Sequence, residues 1–128
     1  MPGTDVVDRF VATVVGGDFV GAIERFYQED ASMRENGAAP RVGRDLLVRH
    51  EQQVLSLFKD MSAALVGAPL VRGDQVAICW RFEFAPPEGP TTTLQEIAWQ
   101  RWEGDRIAEE TFFYDPAQIA PPAAGDRP

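Results

Sequence analysis

The hydrophobic period of this chain changes near residue 62, and nothing else in the sequence limits its fold as much. Before that point apolar residues recur at spacings of three and four; after it they alternate over long runs. Amphipathic helices and half-buried strands each need a partner layer for one face. The pattern therefore predicts an α+β fold, with helices gathered on one face of a curved, mostly antiparallel sheet. A length of 128 residues fits one such domain and a core that needs no covalent staple. We expect a single domain over 1–119 and a flexible Pro/Ala-rich tail over 120–128.

Taken in order, Thr4 or Asp5 is placed to cap a helix whose buried positions are Val6, Val7, Phe10, Val11 and Val14, and Gly16-Gly17 ends it. Asp18 caps a second helix through Phe19, Val20, Ile23, Phe26 and Tyr27. An acidic turn at Glu29-Asp30 follows, then a short strand Ala31 to Glu35 and a Gly/Ala/Pro loop to Gly43. Gly43-Arg44-Asp45 opens a third helix expected to reach Met61, with Leu46, Leu47, Val54, Leu55, Phe58 and Met61 on one broad face. His50, the only histidine, falls on or beside that face.

Beyond it we expect a strand over Ala63 to Pro69, a turn at Arg72-Gly73-Asp74, and a strand Gln75 to Phe84 with Ile78, Trp80, Phe82 and Phe84 together. Ala85 to Pro90 reads as a loop. Thr91 to Trp102 is the next strand, with Glu96, Ala98, Gln100 and Trp102 on one face and Ile97, Trp99 and Arg101 on the other. Glu103-Gly104-Asp105 turns the chain into a last strand, Arg106 to Tyr114, where Ala108, Glu110, Phe112 and Tyr114 share a face. A sheet curved round helices encloses a conical cavity. Carboxyls on its inner faces are costly to bury without a purpose.

Composition removes several functions. A net charge of −8 and a single lysine, Lys59, exclude the clustered cations that nucleic acid demands. No apolar run is long enough to cross a bilayer and no signal-peptide pattern opens the chain, so the expected location is cytoplasmic. Cys79 has no partner for an intrachain disulfide and reads as a buried thiol. With one histidine and no HxxxH or CxxC spacing, no metal is expected, and no phosphate-binding glycine loop points to a nucleotide. We expect no cofactor.

Three strings carry a family resemblance: FYQEDASMREN, VGRDLLVRHEQ and QRWEGDRIAEETFFYDPAQI. In that order and spacing, over about Val6 to Ile119, the chain resembles the nuclear transport factor 2-like superfamily, in its SnoaL-like and ketosteroid-isomerase-like branch. The resemblance implies a cystatin-like cone with an apolar pocket and a homodimer formed through the outer sheet face, which exposed Ile97 and Trp99 would suit. It also implies roles. Glu35 matches the general base of the steroid isomerases, and Tyr27 a tyrosine that supports the oxyanion hole in some members. The two oxyanion donors are replaced here by Phe10 and Ala98. Losing one such donor typically costs about 2.7 to 4 kcal/mol of barrier, so ketosteroid isomerisation itself is not expected.

Glu96, Gln100, Glu110, Tyr114 and His50 are the candidate replacements, with His50 and Glu110 a carboxylate–histidine pair of the kind polyketide cyclases use. The expected catalytic set is Glu35, His50, Tyr27 and Glu110. The expected pocket is Phe10, Met33, Val54, Phe58, Trp80, Phe82, Glu96, Ala98, Gln100, Trp102, Phe112 and Tyr114. A carboxylate in an apolar cavity suits proton abstraction next to a carbonyl. Epoxide hydrolysis would require an Asp-Arg-Asp set, but the inner faces offer Glu and Arg101 faces outward. A small apolar carbonyl compound is the expected partner, acted on by an isomerase- or cyclase-like enzyme. Non-catalytic binding and a protein-assembly role are the alternatives, in which Glu96 and Glu110 pair with Arg34, Arg81 or Arg101.

Overall fold

A computed structural model describes residues 1–119. Helix α1, Thr4–Val15, buries the five expected positions, but its cap is the backbone of Gly3 rather than a side chain of Thr4 or Asp5. Helix α2, Phe19–Phe26, is capped as expected: Asp18 accepts from the Gly21 amide at 2.9 Å. Gly21 leaves room for that cap, since a Cβ there would lie 2.1 Å from the Asp18 carboxylate and push it aside.

Strand β1, Tyr27–Glu35, is longer than its sequence promised and absorbs the acidic pair Glu29-Asp30 as exposed strand residues. Its parallel partner explains this. Pairing with β7 begins at Tyr27↔Ile107 and resumes at Ser32↔Glu109, and this ladder overrides local turn preference. Inside the expected loop, Arg41–Val42 forms β2, antiparallel to β1. Helix α3, Arg44–Ser56, stops a turn short of Met61. Lys59 donates to the Ala85 carbonyl instead, and Met61 joins β3, Asp60–Leu65. Only Leu47 of α3 is fully buried and Leu46 is exposed; of the expected face Leu47 joins the core and Leu55 packs against it, while Val54 and Phe58 line a cavity.

The strand expected over Ala63 to Pro69 starts earlier and ends at Leu65 before a bend at Gly67, whose φ is +82°, and Leu70–Arg72, partly expected as turn, forms β4. Strands β5, Gln75–Ala85, and β6, Thr92–Glu103, follow the alternation, whereas in β7, Arg106–Phe113, an irregularity in the pairing with β6 leaves Ile107 and Ala108 both buried. The sheet order is β2-β1-β7-β6-β5-β3, with β4 on β5; β1–β7 is its parallel pair. The result is three helices against an open, mostly antiparallel sheet, an α+β cone. Trp80, Trp102, Ile78, Ile107 and Val76 are buried in its core. There Phe10 meets Phe26, Tyr27 and Trp102 edge-on at centroid separations of 5.6, 6.2 and 6.0 Å. On the outer face Ile97, Trp99 and Phe113 stand exposed. No described helix is long and apolar enough to cross a membrane. The tail 120–128 lies outside the described residues.

Candidate functional site

Between the helices and the inner sheet face lies a cavity of about 450 Å³, the size of a small-molecule site. Its mouth is marked by exposed Leu57 and Ile119. The segment carrying Ile119 is tied down by Gln118, whose side chain accepts from the Gln95 amide and donates to the Gln95 carbonyl.

All four expected catalytic residues, Glu35, His50, Tyr27 and Glu110, line this cavity. So do Phe10, Met33, Val54, Phe58, Trp80, Phe82, Glu96, Phe112 and Tyr114. Ala98, Gln100 and Trp102 share the inner face but do not reach the lining; each is 0% exposed, packed behind the wall. Beyond the expected set, the structure adds Arg41 and Glu51. Glu51 follows His50 on α3 and showed no motif. Arg41 sat in a stretch read as loop, and only its pairing opposite Met33 turns it inward.

Strand alternation aims Glu110 inward, and a buried relay holds it. Trp102 Nε1–H donates to Gln100 Oε1 at 2.9 Å, which fixes the amide so that Gln100 Nε2 donates to Glu110 Oε2 at 2.6 Å. The Tyr27 hydroxyl donates to Glu110 Oε1. Tyr27 therefore spends its proton on Glu110 rather than offering it to a ligand. Burial pushes Glu110 up to about 7; the Gln100 and Tyr27 hydrogen bonds resist, and the charges of Glu51 and Glu35 add to the rise. Burial, and then Glu110, drive the Tyr27 hydroxyl well above its ordinary value.

Glu96 is 8% exposed on the cavity wall, opposite Trp80 in the β5–β6 register. Burial pushes it up to about 8, aided by the charges of Glu110, Glu35 and Glu51, and no hydrogen bond offsets the rise. None of the arginines anticipated for it and Glu110 pairs with them: Arg34 bonds Thr111, Arg101 pairs with Glu103 and Glu109, and Arg81 is exposed on β5.

Glu35 is half-buried and makes a two-pronged ion pair with Arg41, Nη1 to Oε2 at 2.8 Å and Nη2 to Oε1 at 2.9 Å. The Arg41 Nε–H is fully buried and has no partner among the described residues. Burial and then Arg41 lower His50, against the pull of Glu35, leaving a neutral imidazole at neutral pH. Its charged neighbours are thus Arg41 and Glu35, and the expected pairing of His50 with Glu110 does not form. Glu51 is raised by burial, with Arg41 opposing, and Tyr114 is raised by burial and by Glu35 and Glu96. Among the described residues no group of three His, Cys, Asp or Glu side chains could hold a metal ion.

Chemically, the site is an apolar chamber with four carboxyls, one arginine and a neutral histidine on its walls. Solved structures with the same fold include a Mesorhizobium loti protein provisionally named a SnoaL-like polyketide cyclase. It is 24% identical over 86% of this chain and 97% of that one, with a TM-score of 0.73. A Catenulispora acidiphila protein of ketosteroid isomerase-like fold, in complex with trimethylamine, is 14% identical over 91% and 89%, with a TM-score of 0.76. TerC, co-crystallised with polyporic acid, is 14% identical over 88% and 91%, with a TM-score of 0.74. No curated protein sequence matches the chain significantly. The sequence profile of the SnoaL-like domain matches residues 7–110, from the first buried turn of α1 to the carboxylate held by the relay. The chain belongs to the SnoaL-like domain family, within the nuclear transport factor 2-like superfamily.

Proposed function

We propose that the cavity receives a small, mostly apolar, carbonyl-bearing molecule and that Glu35 takes a proton from the carbon beside the carbonyl, as in an isomerase or cyclase. The observation that carries this is an unfilled apolar cavity of about 450 Å³ with Glu35 and its counter-ion Arg41 on one wall. The ion pair gives the step a charge balance. As Glu35 accepts the proton, Arg41 loses its anionic partner while negative charge grows on the substrate oxygen. Turning the guanidinium to that oxygen also serves an Nε–H that is otherwise buried without an acceptor. His50, neutral, and Tyr114 are the further donors within the same charged neighbourhood. Phe10 and Ala98 supply no donor, so the substrate is not a steroid handled in the ketosteroid isomerase manner. The cyclase name and the polyporic acid complex among structural neighbours support this class of ligand, at the level of fold.

A non-catalytic binding role is favoured by one feature, the engagement of both Glu35 oxygens by Arg41, which also serves as a clasp between β1 and β2. An unfilled cavity speaks for a small molecule over a purely assembly role. The test is a thermal-shift and native mass spectrometry screen of steroid, polyketide-like and terpenoid ketones, against wild type and Val54→Trp, which fills the roof. Stabilisation of wild type, lost in a folded Val54→Trp, is expected. Absence of any binder, or equal binding by both proteins, would contradict the assignment of the cavity.

A further inference from the structure

We infer that the ligand of this cavity carries a positive charge, as a protonated amine or iminium on its apolar frame, seated by Glu96 and Glu110 against the aromatic wall. This rests on the proposed function only in taking the cavity as the ligand site. Four carboxyls line the chamber, Glu35, Glu51, Glu96 and Glu110, against one arginine. Arg41 is already committed to Glu35 through both terminal nitrogens.

Among the described residues Glu96 and Glu110 have no counter-charge. Glu110 is 2% exposed, and donors meet both its oxygens; the Trp102 contact forbids the Gln100 amide from flipping to present its oxygen instead. The Gln100 amide can only donate and the Tyr27 hydroxyl donates as well, contacts that favour the anion. Yet no cationic side chain features among the groups that act on Glu110 or on Glu96. Glu96 is more exceptional: it is more than nine-tenths buried, faces the cavity, and is hydrogen-bonded by no described residue. A buried carboxyl of that kind is retained at a cost unless something arrives to meet it.

The walls indicate what arrives. Trp80 stands opposite Glu96, with Phe82 stacked at a tilt beside it at 6.0 Å and Phe84 next at 6.1 Å. Aromatic faces attract organic cations.

Without the ligand, Glu96 sits near 8 and Glu110 near 7. The ionisable groups around Glu96 are Glu110, Glu35 and Glu51, with the hydroxyls of Tyr27 and Tyr114; Arg41 and His50 lie beyond, on the Glu35 side. An arriving cation returns the two carboxyls towards ordinary values. At pH 7 this expels about one proton per ligand, chiefly from Glu96.

The test compares 4-phenylcyclohexylamine with its neutral analogues, 4-phenylcyclohexanol and 4-phenylcyclohexanone, by calorimetry in phosphate and in Tris. The expected result is tighter binding of the amine by about tenfold or more, release of about one proton, and an advantage that grows from pH 6 to pH 8. Glu96→Gln, checked for folding by near-ultraviolet circular dichroism, should lose both the preference and the proton release. Equal or tighter binding of the alcohol or ketone by wild type, or amine binding without proton release, overturns the inference while leaving the cavity as a ligand site. Failure of all three compounds to bind overturns both.

Discussion

Replacing Glu96 with glutamine exchanges a carboxyl that burial and three like-charged neighbours push up to about 8 for a neutral side chain of the same shape. In the unfolded chain the carboxyl ionises near 4.5. The folded state thus holds a proton that the unfolded state has released, and stability falls as pH rises from the lower value through the higher one. The slope approaches about 1.4 kcal/mol per pH unit inside that window. From pH 5 to pH 8 the loss due to Glu96 alone is about 3.5 kcal/mol, a large share of what holds a small domain together. Glutamine does not titrate. It carries instead a pH-independent cost of about 1–3 kcal/mol for burying an amide without partners. Urea unfolding of both proteins at pH 5, 6, 7 and 8 should give curves that cross: the variant equal or weaker at pH 5, and stronger at pH 8. Parallel profiles, or a variant weaker throughout, would show that Glu96 is not held neutral by its surroundings.

Tyr27→Phe strands one oxygen of Glu110 and should cost about 1–3 kcal/mol in urea unfolding, with the loss growing above pH 7 as Glu110 ionises. Removing the α2 cap by Asp18→Ala should cost about 1 kcal/mol in the same assay and leave ligand binding intact. The exposed stripe of Ile97, Trp99 and Phe113 is the expected homodimer face, so sedimentation velocity should find a dimer that Trp99→Lys shifts to monomer.

The long strands were legible because alternation is a local property that the sheet merely confirms. Leu94, Glu96, Ala98 and Gln100 are buried, whereas Gln95, Ile97 and Trp99 face out, as their spacing requires. Glu110 and Glu96 were found for the same reason. Periodicity does not measure depth, however. Gln100 and Trp102 share a face with Glu96, yet both are fully buried behind the wall, with Trp102 edge-on to Phe10. Arg41 was not legible at all: two residues of β2 carry no period, and only pairing with Met33 makes that arginine the partner of Glu35. The end of α3 was misread because Met61 satisfies either period. A backbone bond from Lys59 to Ala85 decides for the strand. Epoxide chemistry lacked an Asp pair and an inward arginine; the lining holds an arginine, Arg41, but its carboxyls are all Glu and Glu35 takes both terminal nitrogens of Arg41.

Solvent deuterium exchange at the carbon next to the carbonyl of a bound ketone, followed by mass spectrometry for wild type and Glu35→Gln, tests the central claim most directly. Equal binding by the two proteins, with exchange catalysed by wild type alone, is the expected result. Binding by both with the same exchange, or with none, would contradict Glu35 as a base and leave the cavity a binding site without this chemistry.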